Sequence, residues 1–270
     1  MSLPDRPKAV LVTGGARRLG KEFCLAFARA GWNVVCHYQH SGEEALQTCE
    51  AVRALGREAH AVQGDLGQPD AIATMFSDTV AALGAAPDAI VNNASAFEPD
   101  SGMDFSPALL HTQMQVNLAA PLQLASLLAR ATSAATAAPP CVIHVLDQKV
   151  FNLNPDYFSY TLSKLALERA VALQAQALAP RVRVNGVAPG LIYVSGPQSG
   201  ENFDRARSVN LLQSATDPAD VARSAVFLAE NPSITGVTLA VDKGQHLVPL
   251  ARDIMFVAEQ LAPAAPQGAA

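Results

Sequence analysis

Short apolar runs and amphipathic stripes alternate along this chain almost to its end. Residues 8–13 form a β-branched run closed by Gly14 and Gly15, the pattern of a strand buried on both faces. Leu19, Phe23, Ala26, Phe27 and Ala30 then recur at helical spacing, and Gly31 stops the stripe. The same alternation predicts further strands over residues 33–38, 58–65, 89–92, 141–146, 182–187 and 237–241. It predicts helices over residues 43–55, 70–83, 107 to about 135, 157–179 and 218–230. Seven strands alternating with helices imply one α/β unit: a doubly wound parallel sheet with helices on both faces. The rhythm fails over residues 191–214, where Ser195, Gly196, Pro197, Ser199 and Gly200 gather, and a long irregular segment after a strand end is a candidate lid. The expected domain runs over residues 1–261, and residues 262–270, rich in Ala and Pro, are expected to be a flexible tail.

Composition narrows the function classes. Half of the 270 residues are apolar and 16% are charged, ample for a large core. A net charge of −5 argues against nucleic acid or an anionic membrane as partner. The chain has no apolar run of membrane-spanning length. Residues 1–8 lack the apolar core of a secretion signal, and Cys24, Cys36, Cys49 and Cys141 are scattered, so a cytoplasmic, reducing setting is expected. The six histidines show no metal-binding spacing, and no metal site is expected.

The turn after the first strand, from Thr13 to Gly20, carries the first chemistry. Glycines there let the backbone approach a pyrophosphate, which the following helix attracts with its free N–H groups and dipole. The second strand exits through His37, Tyr38, Gln39, His40 and Ser41, with no acid before Glu43. A carboxylate about 4 Å from a ribose 2′-phosphate would cost roughly 4 kcal/mol at an effective dielectric near 20. Its absence, with Arg17 in the turn and His37 and Ser41 as donors, favours NADP(H) over NAD(H). Tyr160 and Lys164 supply the second chemistry. They lie four residues apart on one helical face, where an ammonium is expected to lower the phenol's pKa and ease proton transfer. Tyr157 is a weaker candidate, roughly 10 Å along the helix from Lys164.

These motifs resemble the short-chain dehydrogenase/reductase family, which has a Rossmann-type fold. The likeness rests on Gly14 and Gly20 in the turn, Asn92-Asn93-Ala94, Asn117, the Tyr160/Lys164 pair and Pro189-Gly190. The resemblance implies that Gly14, Arg17, Arg18, Leu19, Gly20, His37, Tyr38, Ser41, Asp65, Leu66, Asn93, Ala94, Ser95, Tyr160, Lys164, Pro189, Gly190 and Leu191 hold the cofactor. It makes Tyr160, Lys164 and Asn117 catalytic, with Asn117 holding a relay water beside the lysine, and puts Asp147 at the remaining catalytic position. It also implies a homotetramer paired through its long helices. Leu118, Leu122, Ala125, Leu128 and Ala129 could form that contact or face the sheet instead.

Three departures from the common family form point to one branch. Asp147 stands in place of the usual serine, Arg18 in place of the middle glycine, and Ser95-Ala96-Phe97 follows the asparagines. Together they resemble pteridine reductases and alternative dihydrofolate reductases. That likeness implies a pterin or folate bound by Arg18, Ser95, Phe97, Asp147 and Tyr160, with Phe97 stacking it against the nicotinamide. A flat heterocycle suits an aromatic face, and its ring nitrogens suit a carboxyl partner. Two rivals remain: an NADPH-dependent carbonyl or 3-oxoacyl reductase, and a non-catalytic dinucleotide sensor.

Overall fold

A computed structural model of the chain describes residues 6–133, 138–194 and 198–258. Strand β1 (Ala9–Val12) leads through the glycine turn into α1 (Arg18–Arg29). The chain continues through β2 (Asn33–Tyr38), α2 (Gly42–Ala54), β3 (Ala59–Gln63), α3 (Pro69–Leu83) and β4 (Ala89–Asn92). Helices α4 (Pro107–Met114) and α5 (Ala120–Ala131) precede β5 (Cys141–Val145), α6 (Phe158–Leu178) and β6 (Arg183–Pro189). Then follow α7 (Gly200–Ala206), α8 (Pro218–Glu230), β7 (Thr238–Val241) and α9 (Ile254–Val257).

All seven strands pair in parallel, in the order β3-β2-β1-β4-β5-β6-β7. Alternate residues of each strand feed opposite layers. Val10, Val12 and Val34 pack with Phe23, Phe27 and Leu228 on one face. Leu11, Val35 and Ile90 pack with Ile72, Leu124 and Leu128 on the other. The chain winds outward in one direction from β1 to β3, then returns to place β4 on the far side of β1. A crevice therefore opens at the carboxyl ends of β1 and β4, where ligands bind in sheets of this kind.

Three expectations need correction. The single helix over 107 to about 135 is interrupted by a π turn at Gln115–Ala119. Pro121 has no N–H to return to the Asn117 carbonyl four residues back, so regular α pairing cannot pass that point. The irregular segment 191–214 contains α7, started by Ser199, whose Oγ accepts from the Asn202 N–H at 3.1 Å. A short helix, α9, follows the last strand. The helix end near 135, Ser195 to Pro197, and the tail 262–270 lie outside the described residues. Ala125, Leu128 and Ala129 of the apolar stripe face the sheet, and Leu122 is only partly covered. Among the described residues no helix is long and apolar enough to cross a membrane, and no group of three or more His, Cys, Asp or Glu is placed to hold a metal.

Candidate active site

A cavity of about 960 Å³ runs along the carboxyl ends of the strands from Gly14 to Met255. Its first half is made by the β1–α1 turn. Gly14 adopts φ +60, and a Cβ there would lie 3.1 Å from the Ala94 Cα. A Cβ on Gly20 would lie 1.9 Å from the Gly14 carbonyl oxygen, so only glycine fits. Asn93 Nδ2 donates to the carbonyls of Thr13 (3.0 Å) and Gly14 (3.2 Å), and Thr13 Oγ1 accepts from the N–H groups of Asn93 and Ala94. The β1 and β4 turns are thus one hydrogen-bonded unit. Leu19, Asp65, Leu66 and Ala94 also line this half.

Other cofactor-side residues sit differently from expectation. His37 is buried with both ring nitrogens engaged: Nδ1 accepts from the Gly14 N–H at 3.1 Å, and Nε2 donates to the Gly64 carbonyl at 3.1 Å. These partners require the neutral Nε2–H tautomer, and burial pushes its pKa down to about 4. His37 therefore pins the turn to β2 and β3 and has no donor left for a phosphate. Tyr38 and Ser41 lie outside the cavity lining; Gln39 takes that place and donates to Asp65 Oδ1 at 2.9 Å. Arg17 reaches the cavity but pairs with Glu44 at 2.6 Å, which offsets part of its charge. Arg18 occupies the left-handed region (φ +50), as the glycine it replaces could do without strain. Its guanidinium donates to the Val194 carbonyl at 2.6 Å and lies over the Tyr193 ring, joining the turn to the start of the 191–214 segment.

The second half gathers side chains from stretches far apart in sequence. Asp147 leaves the end of β5, and α6 brings Tyr160 and Lys164. Tyr160 Oη donates to Asp147 Oδ2 at 2.9 Å, and the Lys149 N–H donates to Asp147 Oδ1 at 2.9 Å. Burial raises the Asp147 pKa against the lowering effect of that N–H and the Lys149 charge. Burial, reinforced by Asp147, holds the Tyr160 phenol well above its ordinary value. The expected lowering by Lys164 is thus overturned. The ammonium is turned onto the Val145 carbonyl at 2.8 Å, 5.7 Å from the Tyr160 ring centre, and burial brings its own pKa down to about 8.

Asn117 also differs from expectation. Its Nδ2 donates to the Ala96 carbonyl and Ser163 Oγ, and its Oδ1 accepts from the Ala96 N–H and Ser95 Oγ. With every site on its amide used, this side chain clamps the 95–97 loop and does not line the cavity. Phe97 is partly buried and reaches the cavity. It stacks on Tyr157 at 4.3 Å and meets Tyr160 edge-on at 4.7 Å. Ser95, Pro189, Gly190 and Leu191 line the cavity too, and Gln245 Oε1 accepts from the Leu191 N–H at 2.8 Å.

Sequence reasoning missed Lys149 and the wall formed by Asp253, Ile254 and Met255. Lys149 carries no motif, and the last wall arrives about a hundred residues later in a four-residue helix with no periodic pattern to read. Tyr157, set aside as a proton donor, gives its hydroxyl to Met255 Sδ at 3.0 Å and backs Phe97.

The glycine-lined turn, the hydrogen-bonded Tyr–Asp pair and the lysine beside them define a nucleotide-dependent oxidoreductase site. The family described as enoyl-(acyl carrier protein) reductase matches residues 14–246, and the chain belongs to it, within the short-chain dehydrogenases/reductases. Among individual relatives, an uncharacterized oxidoreductase of Mycobacterium tuberculosis is 33% identical over 88% of this chain and 91% of its own. Dihydromonapterin reductase of Citrobacter koseri is 27% identical over 90% of this chain and 98% of its own. The crystal structure of alternative dihydrofolate reductase 1 from Brucella canis, complexed with NADP, superposes with a TM-score of 0.85. It is 38% identical and covers 92% of this chain and 97% of that one.

Proposed function

We propose that this oxidoreductase uses NADPH to reduce a dihydropterin, such as dihydromonapterin, dihydrobiopterin or dihydrofolate, to the tetrahydro form. The observation that carries the reading is the 2.9 Å hydrogen bond from Tyr160 to Asp147, set beside the Phe97 ring in one cavity. A serine in place of Asp147 would suffice to donate to a carbonyl oxygen. A carboxylate there would repel a developing oxyanion, whereas a carboxyl group suits protonation of a C=N nitrogen. The relatives named for pterin and folate reduction support the same choice.

The residues present fit a dinucleotide. The Gly14 and Gly20 positions would be filled by any side chain, and the turn opens at the start of a twelve-residue helix. When bound, the reduced nicotinamide supplies the hydride that goes to the carbon of the C=N bond. The chain's own groups handle the proton. With Asp147 protonated, the carboxyl and phenol together hold two protons, and one passes to the ring nitrogen. With Asp147 ionised, the phenol's proton is held by the carboxylate. Activity therefore falls as pH rises through the raised Asp147 pKa. Phe97, backed by Tyr157, offers the pterin a flat face, Ser95 offers a hydroxyl, and Arg18 narrows the entrance.

Residues 1–261 would act as one domain, in the cytoplasm, within a homotetramer, which sedimentation would reveal. Initial rates of NADPH oxidation test the function. We expect turnover of a dihydropterin well above that of a 3-oxoacyl thioester. A faster thioester rate would make this a carbonyl reductase, and NADPH binding without consumption across both substrates would make it a sensor.

A further inference from the structure

Lys149 belongs to no motif, yet it is 2% exposed and its ammonium has three partners. Nζ donates to Asn154 Oδ1 (2.9 Å), to the Asp156 carbonyl (3.0 Å) and to Asp253 Oδ2 (2.9 Å). Those bonds use all three of its donors, so it has none to offer a substrate. One partner, Asp253, lines the substrate half of the cavity, and the other two belong to the segment that follows Asp147. Asn154 and Asp156 lie on the loop that joins Asp147 to α6. Asp253 starts α9, with its Oδ1 accepting from the Met255 N–H at 3.2 Å. The ammonium also lies 5.3 Å from the centre of the Tyr157 ring, the ring on which Phe97 stacks. A second link runs beside the first: Arg252 grips Asp156 through Nε and Nη2, and the Asp253 N–H donates to Asp156 Oδ2 at 2.7 Å.

We infer that Lys149 is a positioning residue that fastens residues 252–255 over the catalytic loop and so fixes Asp147 and the Phe97–Tyr157 stack in the substrate cavity. The two halves of one residue act together. The Lys149 N–H holds Asp147 Oδ1, and its side chain holds the wall and the aromatic platform opposite. A lysine that merely filled space would not join all three. The same arrangement sets two opposed charges on Asp147. Besides Tyr160 and Lys164 from α6, the groups acting on it are the Lys149 cation, which lowers its pKa, and the Asp253 anion, which raises it. Lys149 and Asp253 form an ion pair at 2.9 Å, so removing either leaves the other's field on Asp147 uncompensated.

This inference rests on the catalytic role proposed for Asp147, but its test does not need pterin turnover. In the NADP-bound protein, the infrared carbonyl band of protonated Asp147, identified by its loss in Asp147→Asn, is titrated against pH. Lys149→Met should move the midpoint up and Asp253→Asn should move it down, each by roughly half a unit to one unit. Opposite displacements are a result that simple loosening of the fold would not give. In dihydropterin assays, Lys149→Met should raise KM about tenfold and change the NADPH Kd less than about twofold. Should Lys149→Met not fold, the downward shift in Asp253→Asn decides alone. Midpoints that stay at the wild-type pH in the folded variants would overturn the inference. Shifted midpoints in a protein that reduces none of the dihydropterins at the expense of NADPH would uphold it and overturn the pterin assignment instead.

Discussion

The cavity's two halves are held together in different ways. From Gly14 to Asn93 the turns are tied together through main-chain groups: glycines that exclude a side chain, asparagine and threonine bonds to carbonyls and N–H groups, and a neutral histidine used as a spacer. From Asp147 to Met255 the walls are side chains, and the important ones are ionisable: Lys149, Tyr160 and Lys164, which are buried, and Asp147, which is half-buried. A main-chain site suits a ligand recognised by its phosphates and common to many reactions. A site of buried charges is costly to desolvate and tunes proton affinity, which suits the half where chemistry differs from one relative to another.

If that division is right, damage to one half should leave the other's readout intact. The largest effect is expected from Tyr160→Phe, which keeps the edge-on ring contact with Phe97 and loses the proton. The kcat for the dihydropterin should fall about 10²–10⁴-fold, while NADPH fluorescence titration gives a near-native Kd. A substantial residual rate would remove Tyr160 from the proton path. Next comes Asp147→Ser, which should lower pterin kcat/KM about 100-fold and abolish the alkaline decline seen in the wild-type pH–rate profile. The same substitution should bring the Tyr160 phenol down, because the carboxylate that raises it has gone.

On the cofactor side, Gly20→Ala forces a Cβ against the Gly14 carbonyl. We expect about 1–3 kcal/mol of lost stability in thermal or urea unfolding, together with weakened NADPH binding. Unchanged binding would show that the turn does not hold the cofactor. The smallest effect concerns pH. His37 and His144 are both buried and held near pKa 4, below the ordinary 6.5. Between those values the unfolded chain binds more protons than the native one, so stability is full above pH 6.5 and declines toward pH 4. His37→Asn should shallow that decline, by about 1–3 kcal/mol at its acid end. An equal slope in both proteins would mean that His37 is not held neutral.

Legibility in the sequence followed the same division. Strands 33–38 and 89–92 and the helix over 218–230 were readable to the residue, because apolar period and flanking turn residues agree there. The glycine turn was readable for the same local reason. His37 was readable as a polar residue at the exit of β2 but not as a spacer, since its partner Gly64 follows a neighbouring strand. The Tyr160–Asp147 contact could be anticipated from family likeness alone. The sign of the tyrosine's pKa shift follows from its burial and from the Asp147 carboxyl it faces, and sequence spacing encodes neither. The wall at 253–255 meets Lys149 across 104 residues, beyond any periodic signal.

The most direct test is a crystal structure of the protein with NADP and a dihydropterin. It should place the pterin between Phe97 and the nicotinamide, with an Asp147 oxygen about 3 Å from a pterin nitrogen or amino group. A pterin bound with Asp147 turned away, or stacked anywhere other than on Phe97, would contradict the assignment.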